Sequence, residues 1–239
     1  MIFATHQPNY LPWLGYFYKV MHSDVFVFLD DVQFANRSYQ SRVQIKTANG
    51  AIWMTQPVLS KGRPLTNQVE FEPTTRWREK HIKMLALNYA KTPYFKRFHD
   101  DLTTLLLESK GNQSEVNMQL ICGLAKMLGA KSQFVKSSEF GITVSAGQRI
   151  GEIGRHLGAS VYLSGRGAMA YQKEEDFTSR GLSLAYTEFA PTAYSQLHGE
   201  FVAGLSIVDA IFNVGVDGVR EILAASDIPK SKSLVYGGK

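Results

Sequence analysis

Residues 2–34 read IFATHQPNYLPWLGYFYKVMHSDVFVFLDDVQF, and this stretch decides the fold. Ile2, Phe3, Ala4 and Thr5 make a short, mainly apolar run, and Val25, Phe26, Val27, Phe28 and Leu29 make a second with nothing polar in it. Strands that read as continuous apolar runs are buried on both faces, the situation of a parallel sheet. The segment between them has the length of a right-handed crossover helix. Pro12 suits the first helical position, where a missing N–H costs nothing. Trp13, Phe17 and Val20 then fall at i, i+4 and i+7, and Leu14, Tyr18 and Met21 form an adjacent stripe. This helix is expected to be buried around much of its girth.

The polar residues of the unit sit at its ends. His6, Gln7 and Asn9 follow the first strand, while Asp30, Asp31 and Gln33 follow the second. Both groups are expected at the carboxyl edge of a parallel sheet, where open α/β folds bind their ligands. The free N–H groups at the start of the helix favour an anion in the same space. The reading is a site with His6, Asp30 and Asp31 in catalytic roles and Gln7, Tyr10 and Gln33 as substrate contacts.

Working outward, Asn49-Gly50 between two strand-like runs signals a hairpin with a type I′ turn. In its first arm Arg42, Gln44 and Lys46 alternate with Val43 and Ile45, so the polar side chains share one face. With Arg37 just before them, Arg42 and Lys46 are expected to clamp a phosphate or carboxylate by folding over the Asp30-Asp31 edge. Residues 76–129 carry helical periodicities and read as a helical insertion: 76–90, 94–108 with a Phe95, Phe98, Leu102, Leu105 stripe, and a helix opened by Ser114 and stopped by Gly129. Arg76, Arg78, Lys80 and Lys83 read as a solvated face, with RNA contact the lesser alternative. Strands follow at 132–136, 161–163 and 182–189, with a helix capped by Ser145 between the first two. The second of these strands runs into Ser164, Gly165 and Arg166, where glycines let a backbone approach a ligand closely. Tyr171, Tyr194, Gln196 and His198 complete the candidate contacts. Ser206-x-x-Asp209 has the form of a capping box, residues 213–215 read as a turn, 217–225 as the last helix and 231–239 as a frayed tail.

Composition bounds the function. The chain has 239 residues, 44% hydrophobic and 20% charged, with a net charge of +5. That suits one α/β domain spanning 1–239, with 76–129 inserted in it, and an anionic small-molecule substrate such as a nucleotide or phosphorylated sugar. No apolar run is long enough to span a bilayer and no signal-peptide pattern opens the chain, so a cytoplasmic location is expected. Cys122 is the one cysteine and reads as a buried structural thiol. The six histidines (His6, His22, His81, His99, His156, His198) show no zinc-ligand spacing, so no protein-held metal is expected. Asp30 and Asp31 could hold Mg²⁺ together with a substrate phosphate. No nucleophile motif appears, which favours a mechanism of positioning and electrostatics.

Several motifs together resemble the WbqC-like family: HQPNYLPWLGYFYK at 6–19, DVFVFLDDVQF at 24–34, RVQIK at 42–46, WMTQPV at 53–58, YLSGRG at 162–167 and LSIVDAIFNVG at 205–215. The resemblance runs over essentially the whole chain. The family occurs in gene clusters for O-antigen and other surface polysaccharides, which implies a role in making or decorating sugar precursors. A shorter resemblance, strand–His-x-Pro–helix–strand, is similar to the opening of nucleotidylyltransferase-like folds; those place a Gly-His pair at the helix start, where this chain has Gly15-Tyr16. The expectation is a Rossmann-like α/β transferase acting on an activated sugar, acyl or aminoacyl donor, or a non-catalytic protein that binds a nucleotide-sugar.

Overall fold

In the computed structural model, which describes residues 1–144, 146–170 and 172–225, five strands form one parallel sheet. They are β1 (Ile2–His6), β2 (Val25–Phe28), β7 (Gln133–Lys136), β8 (Val161–Ser164) and β9 (Ser183–Tyr186), in the order β7-β2-β1-β8-β9. Phe3 is in register with Val25 on one side and with Tyr162 on the other, so β1 is central and paired along both edges. Period-two alternation divides the sheet between two cores. Ala4, Phe26, Phe28, Leu163 and Ala185 face one of them, and Phe3, Val25, Val27, Tyr162 and Leu184 face the other.

The first core is filled by α1 (Leu14–Met21), α2 (Trp77–Tyr89), α3 (Phe95–Glu108), α4 (Gln113–Met127) and α7 (Ile207–Ala224). The second is covered by α5 (Ala146–Leu157) and the short α6 (Glu175–Thr178). Helices therefore lie on both faces of the sheet, the doubly wound arrangement. The helices between residues 76 and 129 share the core of α1 and α7. Among the described residues no helix is long and apolar enough to cross a membrane.

Several boundaries differ from the sequence expectation for identifiable reasons. Pro12 is not helical: Trp13 is the N-cap of α1, held in a bridge to Ser206, and the Pro12 carbonyl accepts from Ile207 N at 2.9 Å. Helix α4 starts one residue before Ser114, because Asn112 and Glu115 form a reciprocal capping box. The hairpin of β3 (Arg42–Thr47) and β4 (Gly50–Thr55) pairs Thr47 with Gly50, so the turn centres on residues 48 and 49 and Gly50 takes a φ of 99° beyond it. Asn49-Gly50 is thus not the central pair of a type I′ turn. Two further short strands, β5 (Val58–Leu59) and β6 (Glu70–Phe71), pair antiparallel. Ser206 caps α7 by accepting from Val208 N, but its own N–H goes to the Gln44 carbonyl at 2.9 Å, which leaves the Asp209 carboxylate free for other partners. The expected turn at 213–215 is a kink inside α7, where Gly215 has φ 73° and ψ 174°. Ser145, Tyr171 and the 231–239 tail lie outside the described residues.

Close packing of α5 on the sheet depends on Gly154. A Cβ there would stand 2.6 Å from a Leu182 methyl and 2.8 Å from the Phe3 ring. Gly154→Ala is expected to lose about 1–3 kcal/mol of stability through overpacking, read by urea denaturation. Gly158→Ala is not a substitute control, because Gly158 has φ 62°.

Candidate functional site

The chain runs outward from β1 through β2 to β7, then returns to the other side of β1 with β8 and β9. The topological switch point is therefore between β1 and β8, and a crevice must open at their carboxyl ends. A cavity of about 680 Å³ lies there. Its walls come from the end of β1 (Thr5, His6, Gln7), the end of β8 (Gly165, Arg166, Gly167), the segment after β9 (Thr187, Glu188, Phe189) and the helices on either face (Gly15 and Lys19 of α1, Arg149 and Ile150 of α5). A second chamber of about 170 Å³ shares Trp13, Gly15 and Phe189 with it and has Tyr194 in its wall.

His6 and Lys19 set the electrostatics of the inner wall. The His6 ring packs against Trp13 at 5.8 Å and Tyr16 at 4.8 Å, with Nδ1 3.2 Å from the Gln7 carbonyl. Burial, and secondarily the charge of Lys19, hold the imidazole pKa well below its usual value, so His6 is neutral near pH 7. Gly15 and Lys19 lie one helical turn apart on α1, which puts both on the cavity side. Lys19 is 6% exposed, and its Nζ donates to the Thr5 carbonyl at 2.8 Å. Burial pushes this ammonium down to about 7. Sequence reasoning missed Lys19, although one cation in an otherwise apolar helix was a legible signal. It also missed Trp13, Gly15 and Arg149, which are brought in by packing.

Of the residues expected at the site, His6, Gln7, Gly165 and Arg166 line the cavity. Ser164 is buried just behind it and donates to Gln172 Oε1 at 2.9 Å. The two aspartates turn away to the end of β7. Asp30 accepts from Ser138 N at 3.0 Å and Ser138 Oγ at 2.7 Å, while Asp31 accepts from Ser137 Oγ and pairs with Arg149. The idea that they face His6 across one cleft is corrected by these partners. They also do not fit a Mg²⁺ site, because hydroxyl and amide donors and a guanidinium already occupy the oxygens a cation would take. Among the described residues no cluster of three or more His, Cys, Asp or Glu could hold a metal ion. Tyr10 is fully buried, its hydroxyl 2.8 Å from His81 Nδ1. Gln33 and Arg37 are exposed, and Gln33 bridges to Leu65.

The hairpin does not close over the aspartates. Arg42 stacks on Trp53, 4.1 Å from the ring centroid. Lys46 is 3% exposed and donates to Gln196 Oε1 at 3.1 Å and to the Gly199 and Glu200 carbonyls. Gln196 and Tyr194 in turn donate to Asp209 Oδ1, at 2.9 and 2.7 Å, and Tyr89 donates to Oδ2 at 2.9 Å. Burial raises the Asp209 pKa even with these donors around it. Lys46, Tyr194 and Gln196 thus form a partly buried network that fastens residues 194–202 to the hairpin and α7. His198 is exposed, with Nε2 3.4 Å from the Asn88 carbonyl. Arg78 stacks on Trp77 and donates to the Leu106 and Ser109 carbonyls, so the basic face of α2 is partly occupied by the chain itself. Burial pushes the Cys122 thiol up to about 11, as suits a structural residue.

Lys19 gives a pH test. Its folded pKa of about 7 lies below the ordinary 10.5, so between these values the unfolded chain holds more protons than the folded one. Native stability from this group therefore rises with pH across that window and is lowest at and below pH 7. Lys19→Met removes the contribution. The variant's stability advantage should be greatest at pH 7 and below, then shrink by about 1.4 kcal/mol per pH unit toward pH 10. Parallel denaturant titrations of both proteins measure it; a gap independent of pH would place a charged amine in ordinary solvation.

The model of the WbqC-like protein family matches residues 7–221. The uncharacterized protein Rv1507c of Mycobacterium tuberculosis is 31% identical over 217 residues, covering 90% of this chain and 94% of that protein. No solved structure matches the chain. The family match takes in His6's neighbour Gln7, all of α1 with Lys19, and the Gly165-Arg166-Gly167 turn, and the chain belongs to the WbqC-like protein family.

Proposed function

We propose that the cavity between β1 and β8 binds the anionic part of an activated donor, and that the chain is a transferase acting on a sugar, acyl or aminoacyl donor in surface-polysaccharide synthesis. One observation carries the binding half of this reading. Gly165 has an ordinary extended backbone, φ −74° and ψ 143°, and a Cβ at Gly165 or at Gly167 would meet nothing within 4 Å. Neither backbone strain nor packing calls for glycine at these two places. Both open onto the cavity, where a bare backbone leaves room for a ligand to approach its N–H groups. Arg166 between them is exposed on the cavity rim and suits a phosphate or carboxylate. A neutral His6 beside the buried amine of Lys19 offers a proton acceptor within the same walls.

A panel of nucleotide-sugars, acyl thioesters and aminoacyl donors, incubated with the protein and read by mass spectrometry, separates the two readings. Consumption of a donor supports the transferase; binding without consumption supports a nucleotide-sugar binding protein. For any anionic ligand found, Arg166→Ala should weaken binding by about 2–5 kcal/mol, while Arg42→Ala should leave it unchanged. Gly165→Ala should fold with stability equal to or up to about 1 kcal/mol above wild type and still lose affinity. Retained affinity in Gly165→Ala would remove the observation on which the reading stands.

A further inference from the structure

The amine of Lys19 is placed unlike any surface lysine. It sits at the inner wall of the cavity, 6% exposed, with the Thr5 carbonyl at 2.8 Å as its acceptor. Among the described residues it forms no salt bridge, so no carboxylate holds it charged. The charged and titratable groups that line the same cavity are His6, which is neutral near pH 7, Tyr162, Arg149, which is tied to Asp31, Arg166 and Glu188. Desolvation without a counter-charge is how a lysine becomes a nucleophile, because it favours the free base whose lone pair can attack. Its depressed pKa of about 7 agrees with that geometry.

We propose that Lys19 is a nucleophilic amine that captures the carbonyl carbon of a small anionic aldehyde or ketone as an imine. The Nζ lone pair attacks the carbonyl carbon and a C–N bond forms. The two amine protons pass to the carbonyl oxygen, which leaves as water as the C=N bond closes. The His6 ring, on the same side of the sheet as α1 and within electrostatic reach of Lys19, is the group able to relay those protons. Arg166 on the rim accounts for the anionic substituent. The inference deepens the proposed function, since it rests on the same cavity being the substrate site, and it names an electrophilic carbonyl as what that site takes.

The probe is glyoxylate with sodium cyanoborohydride, which reduces each imine to a stable carboxymethyl amine. Wild-type protein is labelled briefly between pH 5.5 and 10, with and without uridine diphosphate glucose, and the adducts are mapped by peptide mass spectrometry. At pH 7 the Lys19 adduct should form about tenfold faster than those at exposed Lys61, Lys80 and Lys83. Its rate should reach half its plateau near pH 7. Lys19→Met should lose this fast adduct and no other; if that variant does not fold, the wild-type map decides alone. Lys19 left unmodified while surface lysines react, or reacting with a profile that climbs toward pH 10, overturns the proposal. Fast labelling of Lys19 that the nucleotide-sugar does not slow supports the imine and counts only against a nucleotide-sugar as donor.

Discussion

Strand β1 is paired along both edges and covered on both faces, and the rest of the structure follows from that constraint. A parallel neighbour cannot be reached by a tight turn, so each step from strand to strand needs a crossover that packs on one face of the sheet. Such crossovers separate the two cores and put every strand's carboxyl end on the same side. The two chain directions diverge from β1, which opens the crevice there. Burial of β1 is thus the physical origin of the cavity, and burial in its wall shifts the titration of His6 and Lys19.

The fold was legible where apolar periodicity was strong. The two continuous runs around α1 announced a parallel pair, and the stripe on α3 announced its helix. The edge on which His6, Gln7, Gly165 and Arg166 meet was legible too, because it depends only on strand direction. What could not be read was which distant group each polar side chain would find. Asp30 meets Ser138 at a sequence separation of 108, and Lys46 meets Gln196 at a separation of 150. Alternation along β3 correctly put Lys46 on a polar face, but no local pattern could say that residues 196–200 would cover that face. Pro12 failed as a helix start for the same reason: Ser206, far along the chain, holds Trp13 in an extended bridge.

The contrast between the two lysines is instructive. Both are nearly inaccessible, yet Lys46 is surrounded by acceptors and stands near the Asp209 carboxylate, whereas Lys19 has one carbonyl. The first arrangement satisfies a charged group and serves to fasten a segment. The second leaves a charged ammonium poorly compensated, which is a cost to folding that a purely structural role would not explain. Strain of that kind belongs where chemistry is done.

The pairing of Ile2 with Val161 also bears on how the chain is made. During synthesis β1 leaves the ribosome before its partners, and β2 follows soon enough to cover one of its edges. The other edge has no partner until Val161, 159 positions after Ile2, has emerged. For that interval an apolar strand carries a row of open hydrogen-bonding groups, the configuration that recruits foreign strands. Slow, late closure of a long-range contact is expected to limit the folding rate.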